Sequence, residues 1–315
     1  MKKILVTGSN GQIGSELVAA LREKYGKENV VGLSRNAPPE GSRDGPYETL
    51  DATDKEGASA VISKHGIDTV FHLVGVLSAA GEKNPEAAWR VNMKSLKIML
   101  DLSRESGLKM FWPSSIAAFG PTTPRKLTPQ HTVLEPATMY GVTKVAGELL
   151  CQYNSMKYGV DVRSLRYPGI ISYKTPPGGG TTDYAVAIFY DAIAKGEYTC
   201  FVGPHTVLPM MYMPDAIRGT IELMEAPAEK IRVRTSYNMA AISFSAQELA
   251  DVVSRKIPGF KMSYAPDSRQ KIADSWPQSI DDSDARAQWG WKHSFDLDKM
   301  ADDMIANLKI KLGKV

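Results

Sequence analysis

The sequence predicts an α/β protein: a doubly wound parallel sheet, with a smaller α/β cap formed by the C-terminal part of the chain. Three observations carry this. Short apolar runs alternate with amphipathic stretches through the first half, and a glycine-rich turn follows the first run. After Tyr167, glycine, proline and methionine become frequent while the strands grow shorter and farther apart. Strands that alternate with helices run parallel in one sheet, and the crossover helices cover both of its faces.

Lys3–Thr7 reads as a buried first strand, and Ile13, Leu17, Ala20 and Leu21 recur behind it at helical spacing. Val30–Leu33 is the second strand, and the polar loop Arg35–Glu48 leads to the third, Tyr47–Leu50. Thr69–Val74 is the fourth. The helix over Asn84–Ser106 opens with Asn-Pro, a capping residue followed by a proline whose missing N–H costs nothing at the first helical position. Met110–Pro113 and Val162–Tyr167 complete the strand set. Residues 1–170 are expected to form the first domain and 171–315 mainly the cap, with some segments returning to the first domain.

Composition narrows the function classes. The chain has 315 residues, 43% hydrophobic and 23% charged, with a formal net charge of +3. Near-neutrality without blocks of like charge gives no reason to propose nucleic acid or a membrane surface as partner. The cysteines, Cys151 and Cys200, lie far apart without CxxC spacing, which fits a reducing compartment rather than a disulfide framework. The histidines form no HxxxH or HExxH pair, so no metal site is expected. MKKILVTG is too short an apolar run for a signal peptide, and nothing approaches the roughly 18 apolar residues of a membrane span. The expected location is the cytoplasm.

The segment GSNGQIG places Gly8, Gly11 and Gly14 between the first strand and the first helix, with Asn10, Gln12 and Ile13 among them. A dinucleotide-binding loop of the Rossmann type needs this context: glycines let the backbone approach a pyrophosphate, and the helix N-terminus offers unpaired N–H groups. At the end of the second strand Ser34 and Arg35 stand where an acidic residue would hold the adenosine ribose. Arg35 reads either as a partner for a 2′-phosphate, favouring NADP, or as a residue stacked on adenine. Asp51, after the third strand, reads either as a partner for the adenine amine or as a turn residue.

YGVTK places Tyr140 and Lys144 on one face of a helix. A tyrosine ionises near pH 10 and is a poor base at neutral pH, but a neighbouring ammonium favours the phenolate. Ser115 lies at the end of the fifth strand in WPSSIAAFG. In doubly wound sheets the carboxyl ends of the strands border the ligand crevice. A hydroxyl there can hold an oxygen that gains or loses a proton, whereas the bland reading has Ser114 and Ser115 capping a turn.

Together GxxGxxG, the strand-end serine and YxxxK resemble the extended short-chain dehydrogenase/reductase superfamily. Within it the chain is similar to the short-chain type of L-threonine 3-dehydrogenase, on LSAAGEKNP (77–85), RYPGIISYKTPPGGGTTDYA (166–185), LPMMYMPDAI (208–217) and IADSWPQSIDDSDAR (272–286). The resemblance runs from about Lys3 to Leu308. It implies NAD-dependent oxidation of L-threonine to 2-amino-3-oxobutanoate, with Tyr140 as acid/base, Ser115 as its hydroxyl partner and Lys144 as electrostatic support. It also implies cofactor contacts from the Gly8–Gly14 loop, Asp51, Ala52, Leu73, Val74, Lys144 and Ile170. A homodimer through the helices of Asn84–Ser106 and Tyr140–Tyr158 follows from the same resemblance. The family's aspartate after the second strand is absent, which weakens discrimination against NADP; because SRNAPPE places no second basic residue beside Arg35, NAD is expected, with poorer use of NADP.

PPGGGTTDYA then reads as a mobile substrate loop, in which Gly179 and Gly180 permit closure and Thr181 and Thr182 supply hydroxyls to an amino acid. The bland reading is an inter-domain linker. Ser78 and Trp276 are further pocket candidates, the tryptophan by type more often core. The methionines of LPMMYMPD read as packing rather than as an adaptable binding surface. Two rival functions stay open: a nucleotide-sugar epimerase or dehydratase, and a dinucleotide-sensing protein without turnover.

Overall fold

The computed structural model describes residues 1–38 and 44–314, so part of the loop expected at Arg35–Glu48 lies outside the described residues. The first elements are β1 (Ile4–Thr7), α1 (Gln12–Tyr25), β2 (Val30–Ser34), β3 (Tyr47–Thr49), α2 (Lys55–His65) and β4 (Thr69–His72). They continue through α3 (Ser78–Lys83), α4 (Pro85–Ser106), β5 (Lys109–Ser115), α5 (Met139–Tyr158) and β6 (Val162–Tyr167). Next come β7 (Gly169–Ile171), α6 (Tyr184–Lys195), β8 (Glu197–Cys200), β9 (Val207–Tyr212), α7 (Met213–Glu225) and β10 (Tyr237–Asn238). β11 (Ile242–Ser245), α8 (Ala246–Lys256), β12 (Lys261–Tyr264), α9 (Ser268–Asp274), α10 (Ser283–Trp289) and α11 (Leu297–Lys311) complete the order.

The doubly wound sheet is present. Seven strands run in the order β10-β6-β5-β4-β1-β2-β3, the reversal at β1/β4 being the switch point at which such sheets bind ligands. β1 is parallel to both neighbours, with Ile4 opposite Val30 of β2 and Thr69 of β4. Its residues are fully buried, as a strand covered on both faces must be. Leu5, Val31, Leu33, Val70, Met110, Trp112 and Val162 of the strands share one core with Val61 and Ile62 of α2 and Leu96, Met99 and Leu100 of α4.

Local chemistry explains the helix boundaries. Asn84 caps α4 by accepting from Ala87 N–H at 3.0 Å, with Pro85 at the first helical position, as the Asn-Pro pair predicts. Thr138 caps α5 in the same way, accepting from Gly141 N–H at 3.1 Å. Gly147 lets α5 approach β5, since a Cβ there would meet the Trp112 ring at 2.3 Å.

The chain divides into two compact units that interleave along the sequence, rather than at a single main boundary near residue 170 from which some later segments return. Unit 1 comprises Met1–Ser114, Thr138–Arg166 and Gly219–Tyr237, and unit 2 comprises Ser115–Ala137, Tyr167–Arg218 and Asn238–Val315. The difference has a simple cause: sequence periodicity marks elements, whereas membership of a unit depends on which distant segments pack together. Unit 1 holds the large sheet. Unit 2 holds a three-stranded sheet, β11-β9-β7, and a two-stranded one, β12-β8. In it β9 runs parallel to β7 and antiparallel to β11. Met210, Met211 and Met213 are buried there, in keeping with the packing role read from LPMMYMPD. Within unit 2, Asn238 ties separate loops by donating to the Thr128 and Asp281 carbonyls at 3.0 Å each.

Among the described residues no helix is long and apolar enough to cross a membrane. Cys151 and Cys200 are both free and buried.

Candidate active site

In unit 1 the loop after β1 is built by close backbone approach. Gly8 adopts φ +75°, and its N–H donates to the Leu33 carbonyl of β2 at 2.8 Å. A Cβ on Gly8 would meet the backbone of Leu73 and Val74, beyond β4, at 3.0 Å, and one on Gly14 would lie 2.2 Å from the Gly8 carbonyl oxygen. Gly11 starts α1 with no side chain capping it and no acidic residue in the first turn. Its leading N–H groups are therefore offered to whatever lies before them, with the positive end of the helix dipole. Gln12 and Ile13 open that first turn.

The end of β2 joins the same loop. Ser34 Oγ accepts from Asn10 N–H at 3.1 Å and lies 3.2 Å from Ser9 Oγ, while the Asn10 amide donates to the Asn36 carbonyl at 2.9 Å. Arg35 is exposed. Asp51 Oδ1 accepts from both the backbone N–H and the hydroxyl of Thr53 at 2.8 Å each. Those two bonds, with a smaller contribution from Arg35, hold its carboxyl below the usual range. The turn reading of Asp51 thus describes its Oδ1. Ala52 beside it is buried.

The second cluster of unit 1 lies on the inward face of α5. Lys144 is buried, donates to the Pro113 carbonyl of β5 at 2.6 Å, and has its Nζ 4.5 Å from the Trp112 ring centroid and 5.1 Å from that of Tyr140. Burial pushes its ammonium down to about 7. The Cys151 thiol is pushed far up by burial and stays neutral, so the anion that favours the Lys144 cation at neutral pH is Glu148. His72, at the end of β4, sits between Thr7 Oγ1 at 2.7 Å and Ser95 Oγ at 3.1 Å. Burial first, then Lys144, depresses it to about 3, leaving the imidazole neutral. Ser78 is buried at the start of α3.

Two residues of this region, Glu148 and Arg166, escaped sequence reading. Glu148 is fully buried, and its carboxylate accepts from Arg166 Nε at 2.9 Å, from Arg166 Nη2 at 2.7 Å and from Ser114 Oγ at 2.6 Å. The only local signal was VAGE, which puts Glu148 one turn beyond Lys144 on the same face.

In unit 2, Ser115 ends β5 and its Oγ accepts from Ala117 N–H at 3.1 Å, opening a short 3-10 turn. That is the capping role of the bland reading, and it leaves the hydroxyl proton available. The glycine loop is tied rather than loose: Asp183 Oδ2 accepts from Gly178 N–H at 2.7 Å and Gly180 N–H at 2.8 Å. Gly179 between them has φ +92°, a value that requires glycine. Thr181 is buried, and Thr182 packs where a Cβ on Gly169 would stand, beside Ile170. Trp276 is buried.

Comparison with known proteins places this geometry. The family model for the NAD dependent epimerase/dehydratase family matches residues 4–240. The chain belongs to that family. An uncharacterized epimerase/dehydratase of Staphylococcus haemolyticus is 47% identical over 314 residues, 99% of each chain. Among solved structures, a GalE-like L-threonine dehydrogenase from Cupriavidus necator in its holo form is 55% identical, covering 98% of this chain and 100% of that one at TM-score 0.96. A monomeric L-threonine 3-dehydrogenase from a metagenome is 48% identical, covering 98% and 99% at TM-score 0.95. The resemblance to extended short-chain dehydrogenases of the L-threonine type is borne out. The β1–α1 loop of this epimerase/dehydratase family member fits a dinucleotide, since its uncapped N–H groups and Cβ-free approaches suit a pyrophosphate.

Replacing Asp183 with Ala removes two charge-assisted bonds from the glycine loop. Hydrogen exchange at Gly178 and Gly180 is expected to accelerate by about tenfold or more, from roughly 1.5–3 kcal/mol per such bond. Amide exchange read by mass spectrometry checks this, and unchanged rates would show that the loop is held by something else.

Proposed function

We propose that this chain catalyses the NAD-dependent oxidation of L-threonine at its 3-hydroxyl, giving 2-amino-3-oxobutanoate. The observation that carries the reading is full-length similarity, 55% identity at TM-score 0.96, to a protein described as an L-threonine dehydrogenase. The buried Lys144 ammonium beside the Tyr140 ring supports it. NAD, when bound, supplies the acceptor for the hydride from C3.

In this reading ionised Tyr140 accepts the proton of the 3-hydroxyl, and Ser115 donates a hydrogen bond to its oxygen. The positive charge of Lys144 favours the phenolate, as an opposite charge nearby favours any ionised group. Gly8, Asn10, Gly11, Gln12, Ile13 and Gly14 hold the pyrophosphate, while Ser34, Arg35, Asp51 and Ala52 receive the adenosine half. Leu73, Val74 and Ile170 line the nicotinamide half, with Lys144 on its ribose. Thr181 and Thr182, with Gly179, Gly180, Ser78 and Trp276, receive the amino acid, and the glycine loop excludes water from it. The first domain thus serves the cofactor and the cap the substrate.

Tyr140→Phe removes only the proton acceptor. Turnover with L-threonine and NAD, followed by the absorbance of the reduced cofactor, is expected to fall on the order of 10²–10⁴-fold with cofactor binding retained. A Phe variant keeping more than about a tenth of the wild-type rate would take Tyr140 out of the mechanism. The family description also covers epimerases and dehydratases, so UDP-sugars belong in the same assay. Turnover of a UDP-sugar without any on L-threonine would replace the proposed substrate.

The β2 end bears on cofactor choice. Ser34 neither repels a 2′-phosphate nor grips the ribose as a carboxylate would, and charge-assisted hydrogen bonds are about twice as strong as neutral ones. Arg35 has no second basic residue within SRNAPPE to complete a phosphate site. We expect kcat/KM to favour NAD, with detectable use of NADP, and Arg35→Ala to weaken both mildly. A ratio favouring NADP, lost in Arg35→Ala, would reverse the assignment.

A homodimer through α4 and α5 is part of the proposal. Val142, Leu149, Tyr153 and Met156 form an exposed apolar stripe on α5, with Trp89 exposed on α4, and contiguous exposed apolar surface marks interaction sites. Sedimentation should give a dimer mass and Leu149→Glu a monomer; a wild-type monomer, as described for one solved neighbour, would remove this part. We place the protein in the cytoplasm, where free thiols such as Cys151 and Cys200 persist; recovery from an extracellular fraction would contradict it.

A further inference from the structure

A carboxylate with no exposure, in the middle of a helix that carries the proposed base, needs a reason. Removing an ion pair from water is costly, and hydrophobic residues of similar volume often serve stability as well. Glu148 uses both oxygens: Arg166 of β6 donates to Oε1 and Oε2, and Ser114 of β5 donates to Oε1. One turn earlier on α5, Lys144 donates to the carbonyl of Pro113, the neighbour of Ser114. Two successive turns of one helix therefore hold two successive residues of one strand, by opposite charges. Ser115, the proposed hydroxyl partner, is the next residue in the chain.

We propose that Glu148, braced by Arg166, is a positioning residue for the reaction: it holds the Pro113–Ser114 end of β5 through Ser114 and sets a fixed negative charge one turn below the Lys144 ammonium. This rests on the functional reading above.

The groups that face Lys144 make Glu148 the distinctive one. On α5 they are Tyr140, Glu148 and the neutral thiol of Cys151; from β4 comes His72, kept neutral by burial. β5 contributes the Trp112 ring and the Pro113 carbonyl. From β6, Arg166 reaches Glu148. Apart from the Tyr140 phenolate of the reaction itself, Glu148, ion-paired with Arg166, is the one carboxylate among these. Neutralising it lowers the proton affinity of Lys144, because the remaining Arg166 cation opposes a second positive charge. Activity that needs the Lys144 ammonium then fails at lower pH on the alkaline side.

The test uses the full chain with two readouts. Lys144 is followed by ¹³Cε-lysine NMR, assigned with Lys144→Met, and turnover of L-threonine is measured across the same pH range. In Glu148→Gln the Lys144 midpoint and the alkaline limb are both expected to move down by about one pH unit. kcat should fall on the order of ten- to a hundredfold, as for small misplacements near a reacting centre, with the KM for NAD nearly unchanged. Glu148→Asp, which retains the charge, should restore the midpoint. Ser114→Ala, which keeps the charge but releases the strand, should lower kcat without moving the limb. Should Glu148→Gln fail to fold because the buried Arg166 cation loses its carboxylate, the double replacement Glu148→Leu with Arg166→Met removes both charges together. A folded Gln variant with wild-type kcat and an unmoved Lys144 midpoint, or a folded double variant with wild-type kcat, would overturn the proposal. Wild-type protein without L-threonine turnover would instead sink the functional reading, and the NMR midpoint would still decide whether Glu148 governs Lys144.

Discussion

The arrangement around Tyr140 depends on one costly placement, the burial of the Lys144 ammonium. A cation withdrawn from water must find charge, dipole or ring to replace its hydration. Lys144 finds all three: the Pro113 carbonyl at 2.6 Å, the Trp112 ring at 4.5 Å and the Glu148 charge one turn away. Each partner in turn constrains the fold. The carbonyl sets the register of β5 against α5, and Gly147 admits the Trp112 ring beneath the helix. Glu148 requires Arg166 and Ser114 for its own burial. Lys144, Glu148, Arg166 and Ser114 thus tie α5 to β5 and β6 as one polar group.

A different constraint shapes the β1–α1 turn. There, backbone atoms approach so closely that Cβ atoms have no room, as the 2.2 Å separation at Gly14 makes plain. The same closeness brings Gly8 against Leu73 and Val74, so the ends of β1 and β4 meet at the point where strand order reverses. This crevice is a product of topology, and the glycines are what the topology demands. Ser34, bonded to Asn10, then places the end of β2 beside the loop without supplying the carboxylate that such sites often carry.

In unit 2 the glycine-rich segment shows how composition can mislead about mobility. Three consecutive glycines suggest freedom, yet the Asp183 carboxylate gathers two of their amides into a tight turn. The glycines are needed for the positive φ at Gly179 as much as for motion. A segment of this kind has a defined resting shape and few bonds to break on rearranging, which suits the closing role proposed for it.

The sequence by itself determined what is local. Strand–glycine turn–helix, the Asn-Pro cap of α4, the buried strands and the one-turn spacing of Tyr140 and Lys144 all follow from periodicity and from the sterics of single residues. The parallel sheet followed from alternation, and the family from motifs spread along the chain. What only the tertiary structure decided is who meets whom. Glu148 lies 34 residues from Ser114 and 18 from Arg166, so nothing in its neighbourhood announced that it would be buried with them. Part of the division into units was hidden for the same reason: Ser115–Ala137 belongs to unit 2 although unit 1 flanks it on both sides in the chain. Asp51 and Ser115 could each be read as turn residue or site residue, because a short polar side chain bonds to its own backbone whichever role it serves. Local rules reach about one turn or one strand pair. Charges buried between three elements are fixed only when all three have packed.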